Sequence, residues 1–352
     1  MRAVATISQS ALTHNLSIVR NFAPQAKIAA MVKANAYGHH IDLIMPIIDN
    51  VDVLAVSNLT EAKTLRAISK RPILLLLGVY SAEELQQAQD LNCQIVVHHP
   101  QQIPLISAST QPLSVWIKID TGMHRLGLSV DEYQQCRSDF EQNPLISVDC
   151  VMSHFACADE SNHALTNAQI KVFNAIVDNS INRSMANSAA ILSQPEAIFD
   201  IVRPGIMLYG ASPFPADDFN LQPVMQLSAP IVSIKTVQSS ECVGYGAGWV
   251  ADKPSVLAVV GIGYGDGYPR HAKNGTPVLI NDTLCSLVGR VSMDMIVVDI
   301  TDATDATIKI GDKAILWGDE KLRVETVAKY SNTIGYELLT SVSERVKFVA
   351  GE

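Results

Sequence analysis

The first two-thirds of the chain repeats one pattern: a short apolar run, a polar turn, then apolar residues at every third or fourth position. Runs at Ile28–Lys33, Val53–Ser57, Ile73–Gly78, Gln94–His98, Leu113–Asp120, Val148–His154, Arg183–Asn187 and Asp200–Arg203 predict eight strands. Helical spacing fills Leu59–Ser69 and Ala82–Asp90, the latter opened by Ser81 as a cap and by Glu83 and Glu84 in its first turn. Nearly continuous apolar strands alternating with helices predict a parallel sheet covered on its outer face. Eight such units in about 220 residues fit an α/β fold of the TIM type, a (β/α)8 barrel. Pattern alone also fits a doubly wound open sheet.

Beyond about Leu221 the texture changes. Pro230–Val237, Val256–Ile262, Pro277–Asn281, Cys285–Val291, Met295–Ile300 and Lys313–Trp317 are rich in Val and Ile and separated by Gly, Pro, Asn and Asp. Helical spacing returns only at Arg323–Tyr330 and Gly335–Ser341. This predicts a C-terminal, mainly β domain. Loop residues Pro213, Pro215, Asp217 and Asp218 place the boundary so that residues 1–221 form the barrel and 222–352 the second domain.

Composition narrows the partners. Of 352 residues 48% are hydrophobic and 17% charged, enough apolar side chain for large cores. The longest aliphatic run, Ile73 to Leu77, is far short of the ~18 residues of a membrane span, and no apolar export segment follows Met1. A net charge of −9 disfavours a phosphate backbone as partner. Cys93, Cys136, Cys150, Cys157, Cys242 and Cys285 are scattered without a Cys-x-x-Cys pair, which predicts reduced thiols and a cytoplasmic protein.

The candidate chemistry gathers at predicted strand ends. Gly261-Ile262-Gly263-Tyr264-Gly265-Asp266-Gly267 lacks the spacing of a dinucleotide loop and leads to Pro269, so its glycines are expected to serve turns or close backbone approach. The adjacent pairs His39-His40 and His98-His99 diverge on regular structure, and no metal is expected. Lys33 ends the first barrel strand, on the face where barrel active sites collect. Desolvated there, it would be an amine nucleophile or base; the alternative is a lysine reaching solvent at the rim. Lys118 and Arg125 flank another strand end, Arg203 and Gly205 a third, and Asn187-Ser188 opens a helix that offers hydroxyl and amide donors. Together they suggest a phosphorylated aldehyde held as a Schiff base.

The chain resembles the alanine racemase family through Ala30–His39, Asp120–Gly127, His154-Phe155-Ala156, Ala186–Ala190, Val202–Ile206, Val243–Gly246, Gly289–Asp294 and Ile334–Glu337, which occur in the family's order. The resemblance implies a homodimer with shared active sites, pyridoxal 5′-phosphate (PLP) as cofactor, and racemisation of alanine that supplies D-alanine as a peptidoglycan precursor. A broader racemase acting on serine or basic amino acids is the alternative. By the same resemblance Lys33 binds PLP and is one base, and Tyr245 from the partner subunit is the other. Tyr37, Ser188, Gly205, Ile206 and Tyr336 would hold the phosphate, Arg203 would face the ring nitrogen, and His154 would interact with Tyr245. Arg125 and the Met293 backbone would bind the substrate carboxylate. Tyr264 and Tyr336 would narrow the access, and Lys118, carbamylated or else paired with Asp120 at the surface, and Asp294 would support the site. Ser184 and Ser292 depart from residues common in the family, a histidine behind the arginine and a cysteine before Met-Asp.

Overall fold

The computed structural model describes residues 3–160, 162–214, 217, 219–303 and 307–351; Pro215 and Asp218 of the expected boundary loop lie outside them. The chain opens with β1 (Val4–Ser8) and α1 (Gln9–Phe22). Ser8 caps α1 by accepting from Ala11 N at 3.1 Å.

The eight predicted strands then follow as β2 (Lys27–Met31), β3 (Val53–Val56), β4 (Ile73–Leu75), β5 (Cys93–Val97), β6 (Leu113–Lys118), β7 (Ile146–Met152), β8 (Asn182–Ser184) and β9 (Ile201–Val202). Their ladder is parallel throughout, in the order β8-β7-β6-β5-β4-β3-β2-β9. Side-chain and isolated backbone bonds close the ring between its ends: Ser184 Oγ donates to Ile201 O at 2.7 Å, and Arg203 N donates to Ala186 O at 2.9 Å. This closure selects the barrel over the open sheet. The apolar runs are buried, with Leu54, Leu74, Ile95, Val115, Ile117 and Val151 at zero exposure.

The helices are α2 (Lys33–Tyr37), α3 (Ile41–Ile48), α4 (Leu59–Arg66), α5 (Ala82–Asp90), α6 (Gln102–Ser107), α7 (Val130–Glu141), α8 (Ala164–Ile176) and α9 (Ser188–Ser193). The caps are those their sequences supply: Ser81 on α5, Ser129 with Glu132 as a capping box on α7, and Asn187 on α9.

The second domain is a closed antiparallel ring. Its strands are β10 (Met225–Val237), β11 (Cys242–Val243), β12 (Trp249–Val250), β13 (Ser255–Val260), β14 (Pro277–Ile280), β15 (Thr283–Leu287), β16 (Ile296–Asp299), β17 (Lys313–Trp317) and β18 (Lys347–Gly351), with helices α10 (Val324–Tyr330) and α11 (Gly335–Ser341). The ring runs β13-β16-β15-β14-β17-β10 and back to β13, while β11 and β12 form a separate ribbon. The sequence pattern did not anticipate β1, which pairs antiparallel with β10 and parallel with β18. The N-terminal strand therefore belongs to the second domain's sheet, and α1 leads from it into the barrel. Five alternating residues show that a strand exists but not which sheet it joins.

Candidate active site

Lys33 stands two residues past the end of β2, where the backbone leaves the sheet. The next four residues, Ala34, Asn35, Ala36 and Tyr37, all take left-handed conformations, with φ of 52°, 49°, 59° and 52°. Each costs an L-residue roughly 1–2 kcal/mol, so neighbours must impose the turn. Ala36 N donates to Val32 O at 2.9 Å, and Asn35 Oδ1 accepts from Ile41 N at 2.9 Å. The turn carries the Tyr37 ring back over the barrel mouth. There it stacks on the buried Tyr209 at 4.9 Å, whose hydroxyl donates to Met31 O at 2.9 Å. His39 stacks on the other side of this array at 4.6 Å, and its Nδ1 is bonded to Ala36 O and Tyr37 O. His39 is thus a buried support for the turn, and His98 is fixed by Leu77 O and Tyr80.

One cavity of about 740 Å³ gathers Lys33, Tyr37, Lys118, Arg125, His154, Ser188, Arg203, Gly205, Ile206 and Tyr336. It has two chemically distinct ends. At one, neutral donors converge: Ser188 Oγ accepts from Gly205 N at 2.8 Å, and a side-chain carbon placed on Gly205 would sit 2.7 Å from Tyr37 Oη. Only glycine lets the backbone and that phenol share the space. Tyr336, on α11, brings its ring within 6.1 Å of the Tyr37 ring. Burial pushes the Tyr37 hydroxyl up to about 12 and raises that of Tyr336 as well, so both remain protonated donors.

At the other end cations crowd together. Arg203 is 3% exposed and donates to Ser184 Oγ at 2.7 Å, Ser153 O at 2.5 Å and Met185 O at 3.2 Å. Ser184 thereby takes up one arm of the guanidinium and donates its own hydroxyl to Ile201 O. Burial pulls Arg203 down to about 10, still charged at neutral pH. Arg203 Nη2 also donates to His154 Nδ1 at 3.3 Å. An arginine has donors only, so His154 accepts through Nδ1, is neutral, and carries its proton on Nε2. Burial first, then Arg203, holds this imidazole well below its ordinary value.

Lys118 is 7% exposed, and burial followed by the field of Arg203 and Arg125 lowers its amine to about 8. The surface ion pair with Asp120 is not formed among the described residues. Asp120 instead accepts from Gly122 N, Met123 N and His124 N at 2.9, 3.0 and 3.1 Å, shaping the loop that presents Arg125. Lys33 is lowered by burial and by Arg125, with Glu61 acting in the opposite sense.

Four expected residues lie elsewhere on the chain. Tyr245 and Met293 are 70% and 51% exposed on the second domain, and Tyr264 is 39% exposed there, all three outside the Lys33 cavity. Asp294 accepts from Arg345 Nη2 at 2.5 Å. The glycine run does serve close approach: Tyr264 N donates to Ser292 O and Gly265 N to Met293 O at 3.0 and 2.8 Å, pressing the two loops together. Sequence reasoning missed Tyr209 and Glu61, which act by stacking and by bonds to backbone that no motif signals.

The chain matches the family described as alanine racemase, N-terminal domain, over residues 7–213 and alanine racemase, C-terminal domain, over 224–350. It is 60% identical over 350 residues to an alanine racemase of Vesicomyosocius okutanii, covering 99% of each chain. A biosynthetic alanine racemase structure from Pseudomonas aeruginosa superposes with a TM-score of 0.95 at 41% identity, covering 100% of this chain and 99% of that one. An alanine racemase of Bartonella henselae with covalently bound pyridoxal phosphate superposes at 0.89 with 30% identity, covering 100% of both chains. With two family domains in succession and full-length likeness in both sequence and fold, this chain belongs to the alanine racemase family.

Proposed function

We propose that this chain interconverts L- and D-alanine with two bases on opposite faces of the substrate, Lys33 and Tyr245 of the partner subunit. Family membership makes it an alanine racemase, an isomerase whose cofactor is PLP. The cavity fits that group. Tyr37, Ser188, Tyr336 and the Ile206 amide would offer neutral donors to a phosphate, joined by the Gly205 amide that here donates to Ser188 Oγ, and Arg203 would meet the ring nitrogen. Lys33 is the amine for the aldehyde. When bound, PLP withdraws electrons from the substrate Cα and acidifies its proton.

The chain's own groups do the rest. A charged Arg203 would donate to the ring nitrogen of bound PLP and so would moderate the electron withdrawal the cofactor supplies. Lys33, with its amine disposed to lose a proton, serves the D-alanine face. A phenol serves the L-alanine face only if its anion is stabilised, and neutral His154 offers Nε2–H for that purpose. Arg125, together with the Met293 N–H of the partner, holds the carboxylate. Lys118 has a neutral fraction to which CO2 can add, releasing a proton and leaving an anionic carbamate against Arg125. Tyr264 of the partner and Tyr336 restrict the side chain, and Asp294 steadies the Met293 loop. On this reading residues 1–221 supply most of the cofactor's contacts, Tyr336 adds one from the second domain, and 222–352 otherwise complete the partner's site. The homodimer works in the cytoplasm, supplying D-alanine for peptidoglycan.

One observation carries this reading: the amine, the guanidinium and the phosphate donors converge on a single cavity, while Tyr245 stands exposed away from it. The test is incubation with L-alanine in deuterated water. Loss of the α-proton in step with D-alanine formation is expected. Exchange without inversion would remove Tyr245 from the reaction, and comparable turnover of serine or lysine would favour the broad racemase.

A further inference from the structure

Glu61 occupies the third position of α4, where Asn58 caps the helix by accepting from Glu61 N at 3.0 Å. In a capping box its carboxylate would turn back to the cap residue's own amide. It does otherwise here. Oε2 accepts from Ser57 N at 2.7 Å, and Oε1 crosses to the neighbouring β/α unit to accept from Ala34 N at 2.8 Å. One carboxylate therefore ties the end of β3 to the turn after β2. Ala34 directly follows Lys33 and is the first of the four left-handed residues, so the tie falls where the backbone changes hand. Amide bonds to an ionised acceptor are shorter and stronger than neutral ones.

We propose that Glu61 is a positioning residue for Lys33: by binding the Ala34 and Ser57 amides it fixes the left-handed turn and holds the ε-amine at the cavity. This rests on Lys33 being the amine that takes up PLP. The charge has a second consequence. Arg125 from the loop after β6, Lys118 on β6 and His154 after β7 share the field around Lys33, Arg203 after β9 lines the same cavity, and Glu61 opposes the effect of Arg125. Removing its charge should ease loss of the Lys33 proton while loosening the geometry.

The experiment uses full-length protein freed of cofactor with hydroxylamine and then given PLP. Three quantities are measured: the rate of PLP uptake by absorbance, the pH midpoint of Lys33 acetylation by mass spectrometry, and kcat and KM for alanine. Glu61→Gln keeps the length but offers one acceptor and no charge. It should slow uptake and kcat about tenfold while KM stays within about twofold, and it should lower the acetylation midpoint. Glu61→Asp keeps the charge but is too short to span both amides, so uptake slows and the midpoint moves less. Asn58→Ala removes the cap from the same helix end and leaves both carboxylate bonds, so uptake and midpoint stay as in wild type. Wild-type uptake and midpoint in Glu61→Gln would overturn the proposal, as would equal changes in Asn58→Ala. Should Glu61→Gln fail to fold, Glu61→Asp with wild-type uptake would overturn it alone. Undiminished uptake in Lys33→Ala is a separate failure, since it would remove the role of Lys33 itself.

Discussion

The barrel mouth and the exposed rim of the second domain are built to opposite standards. At the mouth two groups are fixed from several sides: Arg203 has bonds to Ser184, Ser153, Met185 and His154, and Tyr37 is stacked on a ring that is itself tied to Met31. At the rim Tyr245 sits on a 3-10 turn between Gly244 and Gly246, both at positive φ, with 70% of its surface open. Tyr245 and Met293 both stand exposed on this domain, and the proposed function requires a second surface that covers them. On the proposed function, binding is preorganised within one chain, while one of the two proton-transfer groups needs assembly to reach its partner. Each prediction below strikes one side and leaves the other intact.

The largest effect belongs to the mouth. Lys33→Ala should cut racemisation by roughly 10⁴-fold or more, because it removes both the cofactor's anchor and one base. It should also abolish the visible absorbance of the purified protein. Activity within tenfold of wild type would end the contrast, since the preorganised amine would then be dispensable. Tyr245→Phe strikes the rim. It should lower α-proton removal from L-alanine by about 10²–10⁴-fold while D-alanine still exchanges its α-proton with deuterated water and the PLP absorbance is unchanged. Equal loss from both enantiomers would deny the tyrosine a face of its own.

How these regions were legible in the sequence follows the same division. Most of the barrel strands were readable because burial on both faces leaves apolar runs, although β8 is Asn-Arg-Ser; α5 was readable to the residue because its Ser81 cap and its spacing agreed, and α11 from spacing alone. The motif residues of the mouth could be named, yet nothing in the order Val32-Lys33-Ala34-Asn35 indicates a left-handed turn. Alanine disfavours that conformation, and tertiary bonds from Glu61 and Asn35 override the preference. Tyr209 was invisible for a related reason: its role is a stack and one hydroxyl bond across 178 residues. At β10 the strand begins at Met225, five residues before the predicted start at Pro230, because Gln226 and Ser228 dilute the apolar signal that pairing with β1 and β17 makes unnecessary.

A smaller effect tests the electrostatics of the mouth. In CO2-free buffer the Lys118 amine titrates at about 8 when folded and at its ordinary 10.5 when unfolded. Between those values the unfolded chain binds more protons, so stability rises as pH increases through this window. Lys118→Met removes the buried cation and should raise stability below pH 8 by about 2 kcal/mol, an advantage that fades toward pH 10. Thermal unfolding against pH measures it. Bicarbonate should stabilise the wild type and not Lys118→Met, because a carbamate replaces a cation among cations with an anion. A pH-independent difference, indifferent to bicarbonate, would mean that Lys118 is not held in the cationic cluster.

The smallest effect lies at the rim, in how Met293 is held. Arg345 Nη2 donates to Asp294 Oδ1 at 2.5 Å and Arg345 Nε lies 3.3 Å from Asp266 Oδ1, so one side chain links the loop of Met293 to the loop of Tyr264. A side-chain carbon on Gly265 would come within 2.3 Å of the same guanidinium, which shows how closely the loops close around it. The half-exposed pair with Asp294 contributes little to stability, and buried Asp266 keeps its bond from Gly263 N, so Arg345→Gln should shift Tm by no more than about 2 °C. Function should be more sensitive, because on the proposed function the Met293 amide meets a carboxylate in the neighbouring subunit and looser loops would present it less often. A few-fold rise in KM for alanine, with kcat nearly unchanged and the effect mimicked in wild type by high salt, is expected. A fall in kcat at constant KM would instead place this clamp behind the tyrosine and not the carboxylate, and the rim would then be a single proton-transfer unit.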